Sequence, residues 1–227
     1  FRRVLFRSIL AGPPGTGKTT MARGLAQVAA LALARQGATA LVEINPHAFP
    51  SDMLGESQRN VTRLLTETIP EIAARRPFVV VLIDEVESFA VRRSSASFEA
   101  NPVDVHRATD AVLLGIDEVA KNLPSVLFLA TTNFIDAVDE AFLSRADLVM
   151  HFALPDHGAI VRILEHALGE LAVQWPAIRP MLADTERLDQ LATLCDGWDG
   201  RRIRKLVLAG LAQRLDVARD PAGLRSE

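Results

Sequence analysis

The chain has 227 residues, 49% of them hydrophobic, with a formal net charge of −3 and a sequence pI near 6.0. That is enough apolar material for one domain with a real core plus a small appendage, and the acidic balance argues against a protein whose main task is gripping nucleic acid. The single cysteine, Cys195, excludes an internal disulfide and a cysteine metal set, and no apolar run approaches the ~20 residues needed to span a bilayer, so a soluble cytoplasmic protein without membrane contact is expected.

The chain opens Phe1-Arg2-Arg3-Val4-Leu5-Phe6-Arg7, without methionine. This basic stretch reads as a strand or linker end, or as foreign sequence at a truncated boundary over residues 1–7, and carries no assigned function. Strand signals follow at 8–11, 39–44, 78–83, 126–131 and 148–153, alternating with helix signals at 19–35, 56–74, 103–121 and 138–144. Strands alternating with helices imply βαβ crossovers and a parallel sheet. Beyond Pro155 come three amphipathic helix patterns, at 158–174, 184–194 and 201–218, separated by proline and glycine signals. The expected organisation is an α/β unit over residues 1–155 and a small all-helical unit over 156–227. The most loop-like stretch is 92–102.

Between the first strand and the first helix stands Gly12-Pro13-Pro14-Gly15-Thr16-Gly17-Lys18-Thr19, which satisfies the phosphate-loop pattern G-x-x-x-x-G-K-[ST]. Glycines permit torsions that turn successive N–H groups inward around phosphate oxygens at the start of a helix. Lys18 then reaches the β- and γ-phosphates, Thr19 offers a hydroxyl to Mg²⁺, and Thr20 continues the nucleotide-binding run. The alternative is a glycine-rich turn that matches by accident, which the flanking strand and helix signals oppose.

Phe78-Val79-Val80-Val81-Leu82-Ile83 is an uninterrupted apolar run of the kind buried on both faces, and it ends in Asp84-Glu85. In open α/β sheets ligands bind beyond the carboxyl ends of strands, so these carboxylates emerge where the loop holds its phosphates. Asp84 is placed to hold Mg²⁺, directly or through water, and Glu85 to orient or deprotonate the attacking water. Read alone, the pair would be a solvated acidic turn.

Three later features refine the picture. Asn133 ends an apolar strand and can bridge the water and the γ-phosphate; asparagine is also common in turns, where it accepts positive φ. Arg145, in Phe142-Leu143-Ser144-Arg145-Ala146-Asp147, has the planar fork suited to delivering charge to phosphate from a neighbouring subunit. A surface salt bridge with Asp147 or Asp139 is the competing reading. Arg201, in Asp199-Gly200-Arg201-Arg202, starts the last large helix and can reach back to the nucleotide in cis, while Arg202 faces solvent. Cys195 reads as a buried small residue.

The ordered set of motifs resembles the AAA+ ATPases over nearly the entire chain. Gly12 to Thr19 looks like Walker A, Val79 to Glu85 like Walker B, Asn133 like sensor 1, Arg145 like the arginine finger and Gly200-Arg201 like sensor 2. The resemblance implies an ATPase subdomain, a helical lid, and a homo-hexameric ring with active sites at subunit interfaces. A lone Arg145 departs from the paired arginines of many unfoldases in the family.

Within the family the chain resembles the pachytene-checkpoint branch, through Glu43-Ile44-Asn45-Pro46-His47, Gly55-Glu56-Ser57, Glu85-Val86-Glu87-Ser88, Arg145-Ala146-Asp147 and Gly200 to Leu206. That resemblance implies a protein substrate, a HORMA-domain protein with or without an adaptor, whose flexible end is drawn into the ring pore. It also implies, for bacterial relatives, a place beside nucleotide-second-messenger synthases in antiphage systems. The family's first pore loop usually carries an aromatic; here Met53 and Leu54 occupy that pair, apolar and adaptable enough to grip peptide, or else packed internally. The rival readings are an ATPase that loads or unwinds nucleic acid and a nucleotide-switched scaffold with little hydrolysis.

Overall fold

The computed structural model describes residues 7–45, 54–88 and 102–212, with side chains at 7–45, 59–88 and 110–210. Five strands form one parallel sheet in the order β2-β3-β4-β1-β5: β1 (Arg7–Ala11), β2 (Thr39–Ile44), β3 (Phe78–Ile83), β4 (Val126–Thr132) and β5 (Leu148–His151). The predicted strands recur within two residues at every end. The helices between them are α1 (Lys18–Leu33), α2 (Leu54–Arg63), α3 (Ile69–Arg75), α4 (Pro102–Asn122) and α5 (Glu140–Leu143).

The sheet is covered on both faces because its central strands alternate apolar residues with period 2. Val79, Val81 and Ile83 point to one face, with Val61, Leu65, Val112 and Ile116; Val80 and Leu82 point to the other, with Ala22 and Ala26 of α1. The small alanines let α1 lie close to the strands.

Two local departures from the sequence reading have physical causes. The expected helix at 56–74 is helical from Leu54 to Arg75 but contains a π-turn at Leu64–Thr68, where the Ile69 N–H bonds to the Leu64 carbonyl. Pro70 has no N–H to give the preceding turn, and its ring crowds the carbonyl four residues earlier, so the ladder shifts by one residue. The expected helix at 138–144 begins later: Ile135–Ala137 forms a 3₁₀ turn and Asp139 caps α5 by accepting from the Ala141 N–H at 2.8 Å.

The chain divides into two compact units, one containing described residues within 7–12 and 18–152, the other 13–17 with 153–212. Among the described residues the second unit holds α6 (His157–Gln174), α7 (Arg179–Ala183), α8 (Thr185–Leu194) and α9 (Gly200–Ala212). It has its own core of Ile160, Leu164, Leu168, Ile178, Leu188, Cys195 and Ile203. The short α7 was not expected; Pro176 and Pro180 each stand in a first helical turn, where a missing N–H costs nothing. Cys195 is 1% exposed, and burial pushes its thiol pKa up. No helix among the described residues is long and apolar enough to cross a membrane.

Candidate nucleotide site

The phosphate-loop sequence leaves the end of β1, where the Gly12 N–H bonds to the Thr132 carbonyl at 3.2 Å. Glycine is required at two of its turns for different reasons. At Gly12, a Cβ would sit 2.1 Å from the Phe152 carbonyl oxygen, whereas Gly17 has open space around it but φ of +93°. Inside the loop the Thr16 hydroxyl donates to the Pro13 carbonyl at 2.8 Å.

Lys18, the first residue of α1, is only 5% exposed. Its Nζ donates to the Gly12 carbonyl at 2.8 Å and to Asn133 Oδ1 at 2.9 Å. A buried ammonium must be surrounded by acceptors, and here the loop and the end of β4 supply them. The Asn133 Nδ2 in turn donates to Glu85 Oε1 at 3.2 Å, and the Asn133 N–H to Glu87 Oε1 at 2.9 Å. Lys18, Asn133 and Glu85 thus form one connected polar chain across the carboxyl ends of three adjacent strands.

A second chain runs beside it. Thr19 Oγ1 donates to Asp84 Oδ1 at 2.8 Å, and Thr131 Oγ1 donates to the same oxygen at 2.5 Å. The Glu85 N–H donates to Thr131 Oγ1 at 3.1 Å. Ile83 lies opposite Ala130 in the β3–β4 register, which brings the turn after β3 beside Thr131. Glu85 has φ of +52° and is the one non-glycine residue with positive φ among the described residues. Its carbonyl accepts from both the N–H and the hydroxyl of Ser88, at 2.9 and 2.8 Å, within the 3₁₀ turn Val86–Ser88.

The donor set fits a nucleotide with its metal. A buried ammonium and a glycine loop that a Cβ would obstruct suit phosphate. The Thr19 hydroxyl and Asp84 carboxylate, already in contact, are the hard oxygens that could hold Mg²⁺. A wider polar frame surrounds them: Arg23 grips Glu43 through both nitrogens, at 2.8 and 2.9 Å, tying α1 to β2. That guanidinium lowers the Glu43 pKa, first through the hydrogen bond, against some opposing desolvation.

Arg145 follows α5, and its ion pair is neither with Asp147 nor with Asp139: Nε donates to Asp117 Oδ2 at 2.7 Å and Nη1 to the Ala141 carbonyl at 2.6 Å. Asp117 comes from the distant helix α4, so spacing along the chain could not reveal it. Arg201 is exposed in the first turn of α9. Arg202 is exposed too but does not simply face solvent, since its guanidinium stacks over the Trp198 ring at 3.7 Å while Asp199 Oδ1 accepts from its N–H. Met53 lies outside the described residues, and Leu54 is described only as the backbone opening α2. Thr131 and Glu87 were missed by sequence reasoning. A hydroxyl near the end of a strand that begins with five apolar residues, two positions before Asn133 and so on the same face, was the available signal for Thr131.

Comparison with known proteins agrees with this fold. Residues 8–154 match the family described as ATPase family associated with various cellular activities (AAA). CD-NTase-associated protein 6 of Pseudomonas aeruginosa is 48% identical over 219 residues, covering 96% of this chain and 71% of that protein. The pachytene checkpoint protein 2 homolog of Gallus gallus is 39% identical over 164 residues, covering 72% of this chain but 38% of the relative. The solved structure of C. elegans PCH-2 superposes with a TM-score of 0.77 at 29% identity, covering 93% of this chain and 57% of that one. The chain therefore spans well under two thirds of the pachytene checkpoint relatives and somewhat more of the bacterial one. It belongs to the AAA ATPase family, and within it the chain is similar to CD-NTase-associated protein 6 and to the pachytene checkpoint protein 2 homologs.

Proposed function

We propose that this chain is the ATP-hydrolysing core of a ring-forming remodeller that changes the conformation of a protein partner, a HORMA-domain protein. The observation that carries the catalytic half is the connected path Lys18–Asn133–Glu85 beside Thr19–Asp84–Thr131. The relatives carry the choice of partner class.

In this reading the loop from Gly12 to Thr19 and the neighbouring Thr20 bind the triphosphate. Lys18 exchanges its neutral acceptors for phosphate oxygens, and Thr19 and Asp84 hold Mg²⁺, which supplies charge neutralisation at the phosphates when bound. Glu85 accepts a proton from the attacking water, and Asn133, already bonded to it, orients that water. Arg145 acts on the nucleotide of a neighbouring subunit in a homo-hexamer, and Arg201 acts in cis. Residues 1–155 are the ATPase subdomain and 156–227 the lid; Met53 and Leu54 line the pore. The setting is cytoplasmic.

The test is steady-state ATP turnover with and without a co-encoded HORMA-domain protein, with DNA in parallel. Stimulation by the HORMA protein that vanishes in Glu85→Gln is the expected result. Stimulation by DNA alone would replace this reading with a nucleic-acid motor, and ATP-dependent assembly without turnover would replace it with a scaffold.

A further inference from the structure

We propose that Thr131 is a positioning residue that clamps the Asp84–Glu85 turn through its hydroxyl, fixing the metal-side carboxylate and the water-activating glutamate together. This rests on the nucleotide-site reading above. Thr131 is 1% exposed in a strand whose first five residues are all apolar, and valine would serve packing equally well there. A buried hydroxyl is retained against such a background only if its hydrogen-bonding capacity is used.

Both of its functions are used, on consecutive residues. The hydroxyl gives its one proton to Asp84 Oδ1 at 2.5 Å, and one lone pair accepts the Glu85 N–H at 3.1 Å. Donation to a carboxylate is the stronger, charge-assisted kind of bond. With Thr19 donating to the same Oδ1 at 2.8 Å, the Asp84 carboxylate is held from the start of α1 and from the end of β4. The Glu85 amide is the more telling contact. A residue with a Cβ at φ +52° occupies a sparsely populated conformation that surroundings must enforce. Here Thr131 holds the peptide before Glu85, and the two bonds from Ser88 hold the carbonyl after it. The strained torsion sets the direction in which the Glu85 side chain leaves the backbone, toward Asn133 Nδ2 at 3.2 Å. Loss of the Thr131 hydroxyl therefore loosens the placement of Glu85 while leaving the phosphate contacts of Lys18 intact.

Thr131→Val removes the hydroxyl at nearly constant shape, and Thr131→Ser keeps the hydroxyl while removing the methyl. In this chain Thr131→Val is expected to bind ATP within about threefold of the parent but to hydrolyse it about tenfold or more slowly, a loss in kcat rather than KM. Thr131→Ser is expected to recover most of that loss. A second readout needs no turnover: amide hydrogen exchange at Glu85 should accelerate about tenfold or more in nucleotide-free Thr131→Val and stay near the parent's in Thr131→Ser. Parent-like hydrolysis by Thr131→Val, or an equal loss in both variants, overturns the clamp. If the parent itself hydrolyses no ATP, the proposed function fails, and the exchange measurement alone decides the clamp, unchanged protection in Thr131→Val refuting it.

Discussion

Glu85 and Lys18 sit at opposite ends of one polar path, and separate substitutions distinguish their parts. Glu85→Gln keeps the side-chain oxygen that accepts from Asn133 Nδ2 but removes the base, so nucleotide binding should persist while turnover falls about a hundredfold or more. Equal turnover in the variant and the parent would remove Glu85 from the mechanism. Lys18→Ala deletes an ammonium buried among the Gly12 carbonyl and Asn133 Oδ1, and nucleotide affinity, read by titration with a fluorescent ATP analogue, should fall about tenfold or more. Much of this residue-level geometry was legible in advance: the phosphate-loop spacing and the acidic pair after an apolar strand pick out Thr19 and Asp84, which meet in the structure. Thr131, Glu87 and Asp117 were not, because each acts through a partner far away in the chain. Only the β3–β4 register places Thr131 beside Asp84, and only the packing of α4 places Asp117 beside Arg145.

At the scale of elements, the strands were the most readable because double-sided burial leaves an unbroken apolar run, as in Phe78–Ile83. Short helices were the least readable. α5 is four residues long and α7 five, too short for a periodic pattern, and they depend on the Asp139 cap and on prolines in the first turn. The π-turn at Leu64–Thr68 was signalled by Pro70, but a proline inside a helical pattern predicts a kink or an end as readily as an inserted residue. In the second unit, Leu164 of α6 is 1% exposed within the helical core. Leu164→Ala should destabilise that unit by about 2–5 kcal/mol, measured as a lower denaturant midpoint. The Arg23–Glu43 pair predicts a pH dependence of small size, since both side chains are partly exposed. With Glu43 held below its ordinary pKa in the fold, its contribution is present above the unfolded value near 4.5 and disappears as pH falls through the folded value. Glu43→Gln should flatten that part of an acid-denaturation curve, by lowering stability slightly in the neutral range where the pair contributes and leaving the acid limit nearly unchanged.

For the molecule as a whole, the family is established by a match over residues 8–154 and by a relative 48% identical over nearly the entire chain. Motif order had pointed to the same family, because five separate features on different elements must coincide. Arg145 belongs to this largest scale, since its proposed role needs a second copy of the chain. Arg145→Ala should leave the nucleotide site of its own subunit able to bind ATP, yet lower turnover of the assembly about a hundredfold or more. Doping the variant into parent assemblies should depress turnover further than its share of subunits. Parent-like rates in the pure variant would transfer the trans role to another residue. The most direct test of the central claim is ATP turnover by parent and Glu85→Gln, each with and without a HORMA-domain protein of the proposed partner class, alongside that protein's conformer distribution. The account predicts that the HORMA protein accelerates the parent, that its conformers convert only while ATP is being hydrolysed, and that both effects disappear in Glu85→Gln. Conversion that proceeds equally well with Glu85→Gln would contradict it.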